Sequence, residues 1–247
     1  MRPLLRVIGF AILLACGGVQ AAELQVVSAG ALEPGLEAAV QNFRSASSQA
    51  VRIRYGTAPR LREMLQDAEA PDLLLAPMRL LDEMAAARRL AGRPVPLGRV
   101  GVGMAVRVGA PVPVVEDAEG LRRALTQAQA VIYNRASTGM YLDRLFEQMG
   151  LTALVSAKAR RYAAGADVMD HLLRGSGDEL GFGAIPEIRM VRELRYVGPL
   201  PLDVQSYTTY GAALLPDGPA AAAVLLRWLV GPESRAVFDA AGIEPPR

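Results

Sequence analysis

Three times along this chain an apolar run breaks into a turn of small, hydroxylated or glycine-rich residues and passes straight into an amphipathic helix. Leu24-Gln25-Val26-Val27 leads through Ser28-Ala29-Gly30-Ala31 to a helix with Leu36, Ala39, Val40 and Phe43 on one face. Val51-Arg52-Ile53-Arg54-Tyr55 alternates like a strand, then enters Gly56-Thr57-Ala58-Pro59-Arg60 ahead of Leu61, Met64 and Leu65. Ala130-Val131-Ile132 runs through Tyr133-Asn134-Arg135-Ala136-Ser137-Thr138-Gly139 into a helix carrying Leu142, Leu145, Phe146 and Met149. A strand that turns directly into a helix leaves first-turn N–H groups at the positive end of the helix dipole, with no acceptor inside the helix. Such a turn is a ready anion site. Open α/β sheets collect these turns at the carboxyl edge of the strands, where ligands bind. For the third turn the alternative is an ordinary N-cap supplied by Ser137 or Thr138.

The rest of the chain keeps the same alternation. Strands are predicted at Pro71 to Ala76, Val100 to Val108, Ala159 to Tyr162, Glu179 to Ala184, Leu194 to Val197 and Ser206 to Leu215. Helices are predicted around Leu80 to Met84, after Asp117, from Asp167 to Gly175, from Pro186, from Ala220 to Val230 and from Ser234 to Ala240. Alternating strands and helices define an α/β fold with mainly parallel sheets. The two long strands near Met104 and Tyr207 could carry the chain between two lobes and back.

Composition narrows the partners. Met1-Arg2-Pro3-Leu4-Leu5-Arg6, the apolar run Val7 to Ala15 and Val19-Gln20-Ala21 have the layout of a signal peptide over residues 1–21. The apolar run is too short to span a bilayer. An exported, periplasmic protein follows. Leu13-Leu14-Ala15-Cys16 also resembles a lipobox, so Cys16 is a candidate lipid anchor; as the only cysteine it can form no internal disulfide. The formal charge of +2 comes from Arg2 and Arg6, and the mature chain is neutral, without the basic excess expected of a nucleic-acid binder. Half the residues are apolar, enough for a sizeable core.

In order and spacing, Leu24 to Leu32, Ala70-Pro71-Asp72-Leu73, Gly98 to Val108, Thr138-Gly139-Met140-Tyr141, Ala166-Asp167-Val168, Leu180-Gly181-Phe182 and Gly231-Pro232-Glu233 resemble the molybdate-binding proteins of ABC importers. The resemblance covers Leu24 to Ile243. It implies a type II periplasmic binding fold: two α/β lobes, each a mixed, mainly parallel sheet flanked by helices, joined by two crossing strands. Lobe one would be 24–105 plus 207–247, and lobe two 106–206. It further implies a monomer that closes on a small anion and hands it to a membrane permease driven by an ATPase. No cofactor and no metal is implied.

Carried over residue by residue, the family's two serine donors fall at Ala31 and Ala58, with Ser28, Gly30 and Thr57 beside them. The lobe-two positions fall at Thr138 and Val168, and the tyrosine at Ala184. Backbone N–H groups with Thr57, Ser137, Thr138, Arg60 and Arg135 would then have to replace the missing hydroxyls. Molybdate or tungstate is the ligand the resemblance names. A guanidinium fork at Arg60 or Arg135 would suit a carboxylate equally well.

Other residue types point to no chemistry of their own. His171 is a lone histidine beside Leu172 and Leu173 and reads as structural, and Tyr141 reads as core. Tyr207, Thr208 and Thr209 fall where the chain recrosses, to serve the hinge or reach the cleft. Asp178 and Glu179 are consecutive ahead of a strand and point apart, a poor catalytic pair. With no nucleophile elbow, Walker A or zincin pattern present, the expectation is a binding protein rather than an enzyme. A ligand-presenting sensory module, or an exported enzyme on the same scaffold, is the alternative.

Overall fold

The computed structural model describes residues 22–66 and 71–246. Residues 1–21, where a signal peptide and the Cys16 anchor were expected, lie outside the described residues. The first half runs through β1 (Leu24–Ala29), a 3-10 turn (Gly30–Leu32), α1 (Glu33–Ser47), β2 (Val51–Gly56), α2 (Ala58–Met64), β3 (Leu73–Pro77) and α3 (Met78–Ala86). β4 (Val95–Arg107) then crosses to the second half. There follow α4 (Ala118–Gln127), β5 (Ala130–Asn134), α5 (Ser137–Gln148), α6 (Thr152–Ser156), β6 (Ala159–Tyr162) and α7 (Gly165–Arg174). β7 (Glu179–Ala184), α8 (Ile185–Met190) and β8 (Leu194–Pro199) complete that half, and β9 (Tyr207–Leu214) returns the chain to α9 (Ala220–Val230) and α10 (Pro232–Ala241).

The strands form one continuous sheet in the order β2-β1-β3-β9-β4-β7-β5-β6, with β8 also on β4. The outer pairs β1–β2, β1–β3, β5–β6 and β5–β7 are parallel, as helix crossovers require. Every antiparallel pairing among the described residues involves β4 or β9. The expected two-lobe α/β fold with two crossing strands is therefore the one observed. β4 serves both halves: Val95 to Gly101 pairs with β9, whereas the stretch from Val102 onward pairs with β7 and β8. Its register against β8 slips between Met104 and Ala105, a bulge within that pairing.

Each half packs its own core. Leu73, Leu74 and Leu75 are fully buried, as a central strand covered on both faces demands. The first core gathers Leu32, Leu36, Val40 and Phe43 of the N-terminal elements with Leu225, Leu229, Phe238 and Ile243 from the chain's end. In the second half Phe146 stands edge-on to Tyr133 at 5.8 Å and to Phe182 at 6.1 Å. Burying one such ring contributes roughly 1.5–3 kcal/mol.

At the junction, Arg99 pairs with Glu244 at 2.5 Å and lies 4.0 Å over the Tyr207 ring. The Tyr207 hydroxyl donates to Glu244 at 3.2 Å. Gln205 accepts the Val102 N–H at 2.9 Å and donates to the Val102 carbonyl at 3.0 Å. Tyr207 thus belongs to the crossing rather than to a ligand surface. Tyr141 donates to the Val204 carbonyl at 2.6 Å and packs on the second core, as its sequence setting suggested.

Candidate functional site

Sheet register decides which turns meet. Ala29 stands level with Gly56, so the Gly30 turn and the start of α2 lie side by side. Asn134 stands level with Tyr162, which sets the starts of α5 and α7 side by side in the other half. The four turns face one another across a cavity of about 340 Å3. Its lower wall is Ala29-Gly30-Ala31 and Gly56-Thr57-Ala58; the opposite wall is Ala136-Ser137-Thr138 and Ala164-Gly165-Ala166. Small side chains at all four turns keep the peptide groups exposed to whatever sits between them.

The third turn is held from behind. Asn134, at the end of β5 and buried, accepts the Ala136 N–H at 3.0 Å and the Gly139 N–H at 3.1 Å. The cap expected of Ser137 or Thr138 is therefore supplied by Asn134, the last residue of β5, and Ser137 becomes the first helical residue. That leaves the Thr138 hydroxyl and both first-turn N–H groups to the cavity they line, while the Ser137 hydroxyl is hydrogen-bonded to Tyr210. α7 opens at Gly165, two residues before the predicted start, and Asp167 accepts the Ala164 N–H at 3.1 Å.

The charged groups of the cavity are acidic. Glu33, Asp170 and Glu187 line it, and no Arg or Lys does among the described residues. Glu187 is the third residue of α8 and its carboxyl accepts the N–H of Ala184 at the head of that helix. It reaches between the two walls, so close to Gly165 that a β-carbon there would overlap it, and 3.5 Å from where one on Gly30 would stand. Desolvation in this position, with the nearby Glu33 charge adding to it, pushes the Glu187 carboxyl up to about 7. Burial, and then the neighbouring Glu37, raise Glu33 as well. Tyr210 on β9 is buried against Glu187, contacts the Ser137 side chain, and is raised well above the ordinary phenol range, chiefly by burial.

Of the residues singled out from sequence, Gly30, Ala31, Thr57, Ala58, Ser137 and Thr138 line the cavity together. Four do not. Ser28 is fully buried, its hydroxyl turned to the Ala29 carbonyl at 3.2 Å. Arg60 points along α2 to Glu63, paired at 2.7 Å on the surface. Arg135 is exposed, its N–H tied to the Tyr162 carbonyl at 2.8 Å. Val168 lies in a core cluster with Leu172, because the early start of α7 puts Gly165 and Ala166 in the first turn instead. Cavity-lining residues not singled out from the sequence include Glu33, Tyr55, Gly165, Ala166, Asp170, Glu187 and Tyr210. Only the fourth turn carried a readable signal, the small run Ala163-Ala164-Gly165-Ala166 after β6.

Away from the cavity, His171 bridges the Tyr162 hydroxyl at 2.7 Å and buried Glu179 at 3.0 Å, a structural role in keeping with its sequence setting. Among the described residues no group of three or more His, Cys, Asp or Glu is placed to hold a metal ion. None of their helices is long and apolar enough to cross a membrane.

Two lobes with a cleft between them are the fold of the periplasmic binding proteins. Residues 24–244 match the model of the bacterial extracellular solute-binding proteins, and the chain belongs to that family. It is 30% identical over 233 residues to an aconitate isomerase from a Pseudomonas species, covering 90% of this chain and 87% of that protein. Among solved structures it resembles the periplasmic molybdate-binding protein of Azotobacter vinelandii, with a TM-score of 0.77 at 16% identity over 91% of this chain and 100% of that one. It also resembles the sulfate-binding protein SubI from Mycobacterium tuberculosis H37Rv, with a TM-score of 0.70 at 17% identity over 90% and 86% of the two chains.

Proposed function

We propose that the chain is an exported, periplasmic protein that captures a small organic acid in the cleft and delivers it to a permease driven by an ATPase. The observation that carries this reading is the convergence of four strand-to-helix turns, two from each half, on one cavity. Peptide N–H groups at helix starts hold anions without any basic side chain. A cavity of about 340 Å3 lies in the range of small-molecule pockets. Ala31, Ala58 and Ala184 place methyl groups where the molybdate binders carry hydroxyls, which favours a carboxylate ligand with carbon to bury over a bare metal oxyanion. Lobe one, 24–105 plus 207–247, would close on lobe two, 106–206, by bending at β4 and β9. A ligand that touches both walls stabilises the closed state, which is the state a permease would read.

A thermal-shift panel tests this. A carboxylate at a hundred times its dissociation constant stabilises the folded chain by roughly 2.7 kcal/mol, a visible rise in Tm. Stabilisation by neutral or cationic solutes alone would refute anion capture, and stabilisation by molybdate alone would return the ligand to the oxyanion class.

A second reading is favoured by the aconitate isomerase relative and by Glu187: an exported enzyme acting on the same bound acid.

A further inference from the structure

Anion capture alone leaves Glu187 without a purpose. An ionised carboxyl at the centre of an anion cleft repels the ligand, and a neutral side chain of the same shape would serve binding better. Glu187 nevertheless reaches across the cleft, and glycine stands at Gly165, where any side chain would displace it. Its carboxyl is held by one N–H, from Ala184, and faces Glu33 of α1 and the Tyr210 hydroxyl of β9, with Asp170 of α7 and Tyr55 of β2 lining the same cavity.

We propose that Glu187 is a general acid–base group that moves a proton between two carbons of the bound acid, so that the chain isomerises unsaturated polycarboxylates bearing a methylene next to the double bond. The inference rests on the reading that the cleft holds a carboxylic acid. The Glu187 carboxylate takes a proton from the methylene, whose C–H electron pair becomes a new C=C bond. The π pair of the old double bond moves to the far carbon, which takes the proton back from the Glu187 carboxylic acid. One C–H bond breaks and one forms, with no oxidant, reductant or co-reactant consumed. The negative charge that spreads over the allylic carbons and their carboxylates in between faces the first-turn N–H groups of Ser137, Thr138, Gly165 and Ala166, donors already in place before the reaction. A carboxyl that titrates near neutrality can act first as base and then as acid at the pH of the compartment.

The probe is trans-aconitate in D2O, followed by proton NMR, with calorimetric titration run on the same samples. The wild-type chain is expected to bind it and to form cis-aconitate, with deuterium entering the methylene to the extent that Glu187 exchanges its proton with solvent between the two transfers. E187Q is expected to bind within a few-fold of wild type and to lose at least about 100-fold in turnover, the size of a missing acid–base group. The wild-type rate is expected to rise with pH as Glu187 ionises. Circular dichroism confirms that the variant is folded, and the wild-type conversion measurement stands independently of it. Binding without conversion to cis-aconitate and without deuterium exchange would overturn proton transfer and leave capture intact, and so would an E187Q rate equal to wild type. Absence of binding to trans-aconitate and to every other carboxylate tried would overturn both.

Discussion

Replacing Glu187 by glutamine should stabilise the chain, and only above acidic pH. The folded state raises this carboxyl from 4.5 to about 7, so folding favours its protonated form. Below 4.5 the group is protonated in both states and makes no difference to stability. Between 4.5 and about 7 the unfolded chain ionises while the folded one does not, and folding loses free energy steadily across that window. Above it the loss is constant. At 1.36 kcal/mol per unit the ceiling is about 3 kcal/mol, reduced by water in the open cleft. Glutamine keeps the shape and an oxygen for the Ala184 N–H but carries no charge. Urea unfolding of both chains at pH 4 and pH 8 is the assay. E187Q minus wild type should be near zero at pH 4 and roughly 2–3 kcal/mol in favour of the variant at pH 8. An equal difference at both pH values, or a wild type more stable at pH 8, would show that Glu187 is not held protonated.

Four other substitutions separate the cleft from its surroundings. Gly165→Ala pushes a methyl into the Glu187 carboxyl and should weaken carboxylate binding by about tenfold, or 1.4 kcal/mol, with Tm little changed; calorimetric titration and a melt read the two effects separately. Asn134→Ala strands the N–H groups of Ala136 and Gly139 and should cost about 1–3 kcal/mol in urea unfolding, together with a loss of affinity as the Ser137 turn loosens. Arg60→Ala and Arg135→Ala should leave the dissociation constant within about twofold, since neither lines the cavity; a larger loss by titration would put them back in the site.

Architecture was legible from sequence because it depends on periodicity and on turn chemistry, both local. The runs around Leu24, Val51 and Ala130 each became a strand, and the small residues after them became the cleft walls. What was lost came from contacts that no local pattern records. Glu187 sits in Ile185-Pro186-Glu187, which reads as an ordinary helix start; its burial comes from Gly30, Gly165 and Tyr210, elements distant in sequence. Arg60 and Arg135 looked suited to an anion by charge, but Arg60 points along its own helix to Glu63 and Arg135 is left on the surface. Val168 was misjudged because α7 begins two residues early, and such a shift moves every first-turn N–H group to another residue. Asn134 escaped notice because it caps from the strand side of the turn.

The account stands on two walls donating to one ligand. Hydrogen–deuterium exchange of the chain with and without a stabilising carboxylate reads this amide by amide. The first-turn amides of all four turns, at Gly30 and Ala31, Thr57 and Ala58, Ser137 and Thr138, and Gly165 and Ala166, should be protected together when ligand is added. Protection confined to one half, or appearing on a surface away from these turns, would contradict it.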